Sequence, residues 1–159
     1  MAAMDFDVGW LWMRLMLLGV TLSTIIAGAY TPVDSDDLQA AVNEYIANPG
    51  GTDKGPIENW DTTKVTNMRG MFYYAANFNQ DLGKWNVAKV TTMRDMFNRA
   101  TKFNQDLGKW NVAKVTDMSG MFEEASEFNQ DLGKWNVAKV TTMRDMFNRA
   151  TKFNQDLGK

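Results

Sequence analysis

Catalytic chemistry has few residue types to draw on here. Neither histidine nor cysteine occurs in the 159 residues. The commonest general base, the commonest metal ligand and the thiolate nucleophile are therefore missing. Carboxylates, hydroxyls, lysines and amides remain, and many recur at an interval of 25 residues. Asp81, Asp106, Asp131 and Asp156 share one register. A column of carboxylates is what calcium would need, but no D-x-[DN]-x-[DN]-G loop is present. A lysine follows each aspartate three residues later (Lys84, Lys109, Lys134, Lys159), which favours local neutralisation and turn hydrogen bonds. Asn79, Asn104, Asn129 and Asn154 form another register, suited to a hydrogen-bond ladder between copies. Methionine pairs such as Met93 and Met96 read as core filler rather than a metal or cofactor box. No Ser-Lys or convergent carboxylate motif replaces the missing groups, so neither an enzyme nor a cofactor is expected. The net charge of −2 leaves no basic footprint for nucleic acid.

The positions that differ between copies point to binding instead. Arg99, Glu124 and Arg149 occupy one position in successive copies, and Lys102, Glu127 and Lys152 another. The signs alternate, so stacked copies attract rather than repel, each exposed pair being worth roughly 0–1 kcal/mol. This predicts a register lock in which two copies form the true unit. It also explains why residues 85–109 recur verbatim at 135–159: an acidic copy lies between them. In the first copy Tyr73 and Tyr74, followed by Ala76 and Asn77, fall in the same region, and adjacent exposed tyrosines suit a contact surface. Packing of these tyrosines against the segment before the array is the competing reading.

The elements that must position these residues are four repeats, 60–84, 85–109, 110–134 and 135–159, each opening on tryptophan. Within one, Leu82, Trp85, Val87, Val90, Met93, Met96, Phe97, Ala100 and Phe103 are the apolar positions. Trp85 and Val87 alternate with Asn86 as a short strand would. Met93, Met96, Phe97 and Ala100 fall on one helical face, and Thr92 with Asp95 makes a weak capping-box start. Asn104 to Gly108 is turn chemistry. The expectation is an α/β repeat solenoid, leucine-rich-repeat-like, with a short parallel strand plus a short helix per 25-residue coil. Its four tryptophans would form one interior file.

The frame L-x-x-W-x-V at Leu82, Trp85 and Val87 has the spacing of leucine-rich repeats. The longer line F-N-Q-D-L-x-x-W-x-V-x-x-V-T-x-M-x-x-M-F resembles the BspA-like surface-protein repeat, a domain of unknown function, over about residues 38–159. That resemblance implies a leucine-rich-repeat-like solenoid, secreted or cell-surface settings, and binding or adhesion rather than catalysis.

Two segments precede the array. Residues 31–59 are expected to hold an amphipathic capping helix over about 35–50, with Ser35 as N-cap, Leu38, Ala41, Val42 and Ile46 as its apolar stripe, and Pro49 and Gly50 as its stop. A half coil follows, because Ile57 and Trp60 copy the Leu82–Trp85 spacing. Residues 8–30 carry only Arg14 as a charge, and a helix of that length spans about the apolar thickness of a bilayer. The expectation for 1–30 is a single transmembrane helix, with Trp10, Trp12, Leu15, Leu17, Leu18, Ile25 and Ile26 facing lipid and Tyr30 at an interface. The alternative is a signal peptide cleaved after Ala27-Gly28-Ala29. The array ends on a complete repeat without a polar cap, which predicts that the chain continues or that a partner covers the fourth repeat.

The functional expectation is a non-catalytic, membrane-tethered scaffold that binds other proteins, single-pass, with the solenoid on the extracytosolic or lumenal side. The alternative is an accessory subunit of a larger membrane complex, organellar and possibly photosynthetic. There, small residues such as Gly9, Gly19 and Ser23 would let the apolar helix pack on its neighbours.

Overall fold

The structure is a computed structural model that describes residues 29–49 and 52–157. Tyr30 opens the packed region. Its ring meets Trp60 edge-on at 5.1 Å, and its carbonyl accepts from the Asp61 N–H at 2.8 Å. Tyr30 is thus a piece of the N-terminal core, not the interfacial end of a membrane helix.

One α-helix follows, α1, Ser35–Ala47. Its N-cap is Asp34, whose carboxylate accepts from the Asp36 and Asp37 N–H groups. Ser35 fastens the helix to the first repeat instead of capping it. Its hydroxyl accepts from the N–H groups of Thr66 and Asn67, at 3.3 and 3.0 Å. Leu38, Ala41, Val42 and Tyr45 are buried against the first repeat, with Ile46 at the margin. Gln39 reaches the Met71 carbonyl at 3.2 Å. A short 3-10 turn, Ile57–Asn59, then leads into Trp60.

The repeats stack, but not as expected. The α/β repeat solenoid with a strand and a helix in every coil does not form. The described residues are mostly turns and irregular backbone, with one α-helix and no strand longer than an isolated bridge. Single parallel bridges join Asn67 to Thr92, Thr92 to Asp117 and Asp117 to Thr142. Leu82–Val90 holds two turns rather than a strand, closed by Trp85 N–H on Leu82 O and Val90 N–H on Val87 O. The stretch with helical spacing is a chain of three-residue closures: Met96 on Met93, Asn98 on Asp95, Ala100 on Phe97. The intervening N–H groups of Met93, Asp95, Phe97 and Arg99 instead donate to the next repeat, to the carbonyls of Asp117, Ser119, Met121 and Glu123. A helix cannot do this, because it turns every amide along its own axis. The period-three spacing arises because these closures also return the chain every three residues.

That alternation requires left-handed residues at two points per repeat. Gly70, Asp95, Gly120 and Asp145 take one, with φ of 62°, 54°, 62° and 57°; Tyr74, Arg99, Glu124 and Arg149 take the other, with φ of 56° to 62°. The cost is offset by bonds to the neighbouring repeat, such as Tyr74 N–H on Asn98 O at 2.9 Å.

The core is built of aligned rings. Phe72, Phe97, Phe122 and Phe147 stack nearly parallel at 5.2–5.6 Å, and Phe78, Phe103, Phe128 and Phe153 at 6.0–6.1 Å. The four tryptophans are buried, and Trp60 and Trp85 stack at 6.5 Å. The indole N–H groups of Trp85, Trp110 and Trp135 donate to the carbonyls of Ile57, Leu82 and Leu107, each 28 residues back, at 2.9–3.0 Å.

Among the described residues no helix is long and apolar enough to cross a membrane. The described residues thus hold no single-pass span, and the lumenal or extracytosolic placement has no support in them. The expected lipid-facing residues Trp10, Trp12, Leu15, Leu17, Leu18, Ile25 and Ile26 lie outside the described residues, as do the rest of 1–28 and the alternative cleavage site's Ala27 and Gly28.

Candidate functional site

The left-handed position shared by Tyr74, Arg99, Glu124 and Arg149 turns these side chains into one lateral column. The Arg99 guanidinium lies over the Tyr74 ring, 4.5 Å from its centroid. Arg99 Nε stands 3.1 Å from Glu124 Oε2, and Arg149 approaches Glu124 Oε1 at 3.4 Å. One carboxylate therefore holds a guanidinium from the repeat on either side. Beside it Glu123 does the same with amides: Asn98 Nδ2 donates to Oε2 at 3.1 Å and Asn148 Nδ2 to Oε1 at 2.9 Å. Sequence reasoning misses Glu123, although its fixed place beside Glu124 is visible in the letters.

The second charged register is half made. Lys152 pairs with Glu127 at 2.5 Å, while Lys102 is exposed and forms no ion pair among the described residues. Tyr73 and Tyr74 are about half exposed, at 51% and 54%, and meet edge-on at 4.4 Å. Tyr74 and Asn77 border a groove whose other wall is Tyr45, Ile46 and Pro49 at the end of α1. Tyr74 thus faces the end of α1 across this groove, while both tyrosines stay open to solvent.

The amide and carboxylate columns are structural. Asp81, Asp106 and Asp131 each accept from the N–H of a glycine two residues on, at 2.8 Å. The asparagine ladder runs Asn104 N–H on Asn79 Oδ1, Asn129 on Asn104 and Asn154 on Asn129, all at 2.9 Å. Gln105, Gln130 and Gln155 strengthen it by donating to the same asparagines.

At the N-terminal end, burial pushes the Tyr30 hydroxyl up to about 12, and the neighbouring Asp37 adds to the effect. Burial likewise raises Tyr45, with Glu58 contributing. The bond to Glu44 holds Lys54 above its usual range, and Lys54 also lies over the Tyr30 ring at 5.6 Å. The Thr63 N–H holds the Asp61 carboxyl below its ordinary value.

A protein-family model, described as "Mycoplasma protein of unknown function, DUF285", matches residues 39–159. No curated protein and no solved structure matches the chain.

Proposed function

The chain belongs to the DUF285 family, whose function is unknown, and from that premise we propose that it is a non-catalytic protein-interaction module that binds through the side of its repeat stack. The observation that carries this is the continuity of one lateral surface. It begins at the exposed Tyr73–Tyr74 pair, passes through Arg99 stacked on Tyr74, and continues into the Arg99–Glu124–Arg149 column. Tyrosine and arginine are the side chains that most often anchor protein interfaces. Here their cost of ordering is reduced, since the ring and guanidinium already hold each other. The likeness of the repeat line to BspA-like surface-protein repeats supports a role in binding or adhesion.

The test is site-specific photo-crosslinking from position 73 in the full chain, with a control from the exposed Lys114. One defined protein adduct is expected from position 73 and none from 114. The adduct should disappear in the Arg99→Glu variant while the melting temperature stays within a few degrees. Indistinguishable adducts from both positions would overturn the reading.

A further inference from the structure

Each later repeat is fastened to the one before it by the same two backbone donors. The Lys102 N–H donates to Ala76 O at 3.1 Å and the Asn104 N–H to Asn79 Oδ1 at 2.9 Å. Glu127 and Asn129 do the same in the third repeat, Lys152 and Asn154 in the fourth. In the first repeat the matching N–H groups belong to Asn77 and Asn79. Both residues are exposed, and neither N–H has a protein acceptor among the described residues. The level before the first repeat is taken by α1 instead of a coil, and a groove of about 270 Å³ lies between the two. Tyr45, Ile46 and Pro49 line it from the end of the helix, Tyr74, Ala75 and Phe78 from the repeat. Phe103, Phe128 and Phe153 each stack on the ring one repeat earlier; Phe78 opens this file, and no ring precedes it among the described residues.

Two cations border this surface without a carboxylate. Lys152 pairs with Glu127 of the repeat before it. Lys102, in the same register two repeats earlier, has the neutral Asn77 in that place, and Glu127 on its other side is already held by Lys152. Arg94 and Arg144 pair with the aspartate that follows each of them, at 3.3 and 3.2 Å, whereas Arg69 is followed by Gly70. Arg69 and Lys102 are both exposed, and neither forms an ion pair among the described residues. In register, Arg69 falls before the Tyr73–Tyr74 pair, and Lys102, level with Asn77, falls after it.

We infer that this groove takes an extended acidic segment of a partner protein, an inference that rests on the lateral binding surface proposed above. The segment's carbonyls accept from the Asn77 and Asn79 N–H groups, as a preceding repeat would. One apolar side chain enters the groove beside Phe78. Carboxylates on the segment meet Lys102 and Arg69, which have none within the chain. A basic segment would be set against two uncompensated cations.

The experiment selects a random dodecapeptide library, displayed on phage, against the full chain. Acidic sequences with one apolar residue among them are expected to be enriched. The selected peptides should slow amide exchange at Asn77 and Asn79 by about tenfold or more near saturation. Asn77→Glu gives Lys102 an internal carboxylate, as Glu127 gives Lys152, and should weaken the same peptides about tenfold without lowering the melting temperature. Enrichment of basic or uncharged sequences, no enrichment, or unchanged affinity in Asn77→Glu would each overturn the inference. Protection of these two amides in the chain alone would also overturn it, assigning the groove to a second copy if the protection grows with concentration and to the chain's own residues if it does not. A position-73 adduct that persists in Asn77→Glu removes the acidic segment and leaves the lateral surface standing. Absence of any adduct from position 73 removes the surface itself.

Discussion

Arg99 and Glu124 close a 3.1 Å ion pair between successive repeats, and the same carboxylate reaches Arg149 at 3.4 Å on its far side. The side chain of Glu124 is 27% exposed, so its contacts are partly shielded from water. A charge in the middle of such a column matters more than either of its ends.

Glu124→Lys puts three cations in line. It is expected to cost about 1–2 kcal/mol at low salt and visibly less at high salt, because exposed pairs are screened. Thermal melts at two ionic strengths check this, and equal losses at both would remove the electrostatic account. Arg149→Ala, at the more exposed pair, should cost less than Arg99→Ala.

Trp110→Phe keeps a buried ring but removes the indole N–H from Leu82 O. Since Leu82 O retains the Trp85 N–H, the expected cost is about 1–2 kcal/mol. Trp110→Ala should cost about 3–5 kcal/mol by opening a cavity. Chemical denaturation of the two variants side by side would show the difference.

Gly120 has φ +62°, and a methyl group there would lie 2.4 Å from Asp95 Oδ1. Gly120→Ala is therefore expected to destabilise by about 1–3 kcal/mol. Asp95→Gly in the same chain should recover part of that loss. Strict additivity in a double-mutant cycle would show that the carboxylate is not the obstacle.

Alkali should loosen the N-terminal end first. Tyr30 and Tyr45 are both raised by burial, so the folded state favours their protonated forms. The contribution of both is complete below the ordinary tyrosine value of 10.0; that of Tyr30 is lost as pH climbs toward about 12, and that of Tyr45 as pH rises above its ordinary range. Tyrosinate absorbance should show Tyr30 ionising together with loss of the α1 helical signal. Ionisation near 10 with the helix intact would contradict this.

The removal of Ser35 tests how α1 is fastened. Ser35→Ala frees two N–H groups of the first repeat, and a loss of about 1 kcal/mol is expected. Asp34→Ala, which removes the helix cap, should cost a similar amount. Helix content followed by circular dichroism separates them: only the cap variant should fray the helix itself.

The 25-residue period, the buried tryptophan and phenylalanine positions, the asparagine ladder and the alternating charges are all legible in the letters, because each is a property of a repeated register. A side chain that recurs at one place must meet its own copy when repeats stack. What the letters misreport is the backbone between those places. Met93, Met96 and Phe97 have helical spacing, but a three-residue turn and a helix return a side chain to the same face at nearly the same interval. The neighbouring repeat decides between them, since it takes every second amide and so forces Asp95 and Arg99 into the left-handed region. Tyr30 reads as the end of an apolar run until the fold gives its ring to Trp60. Only the stacked structure shows that Glu123, beside the alternating charges, accepts from Asn98 and Asn148 in the repeats on either side, because those bonds join side chains 25 residues apart in both directions.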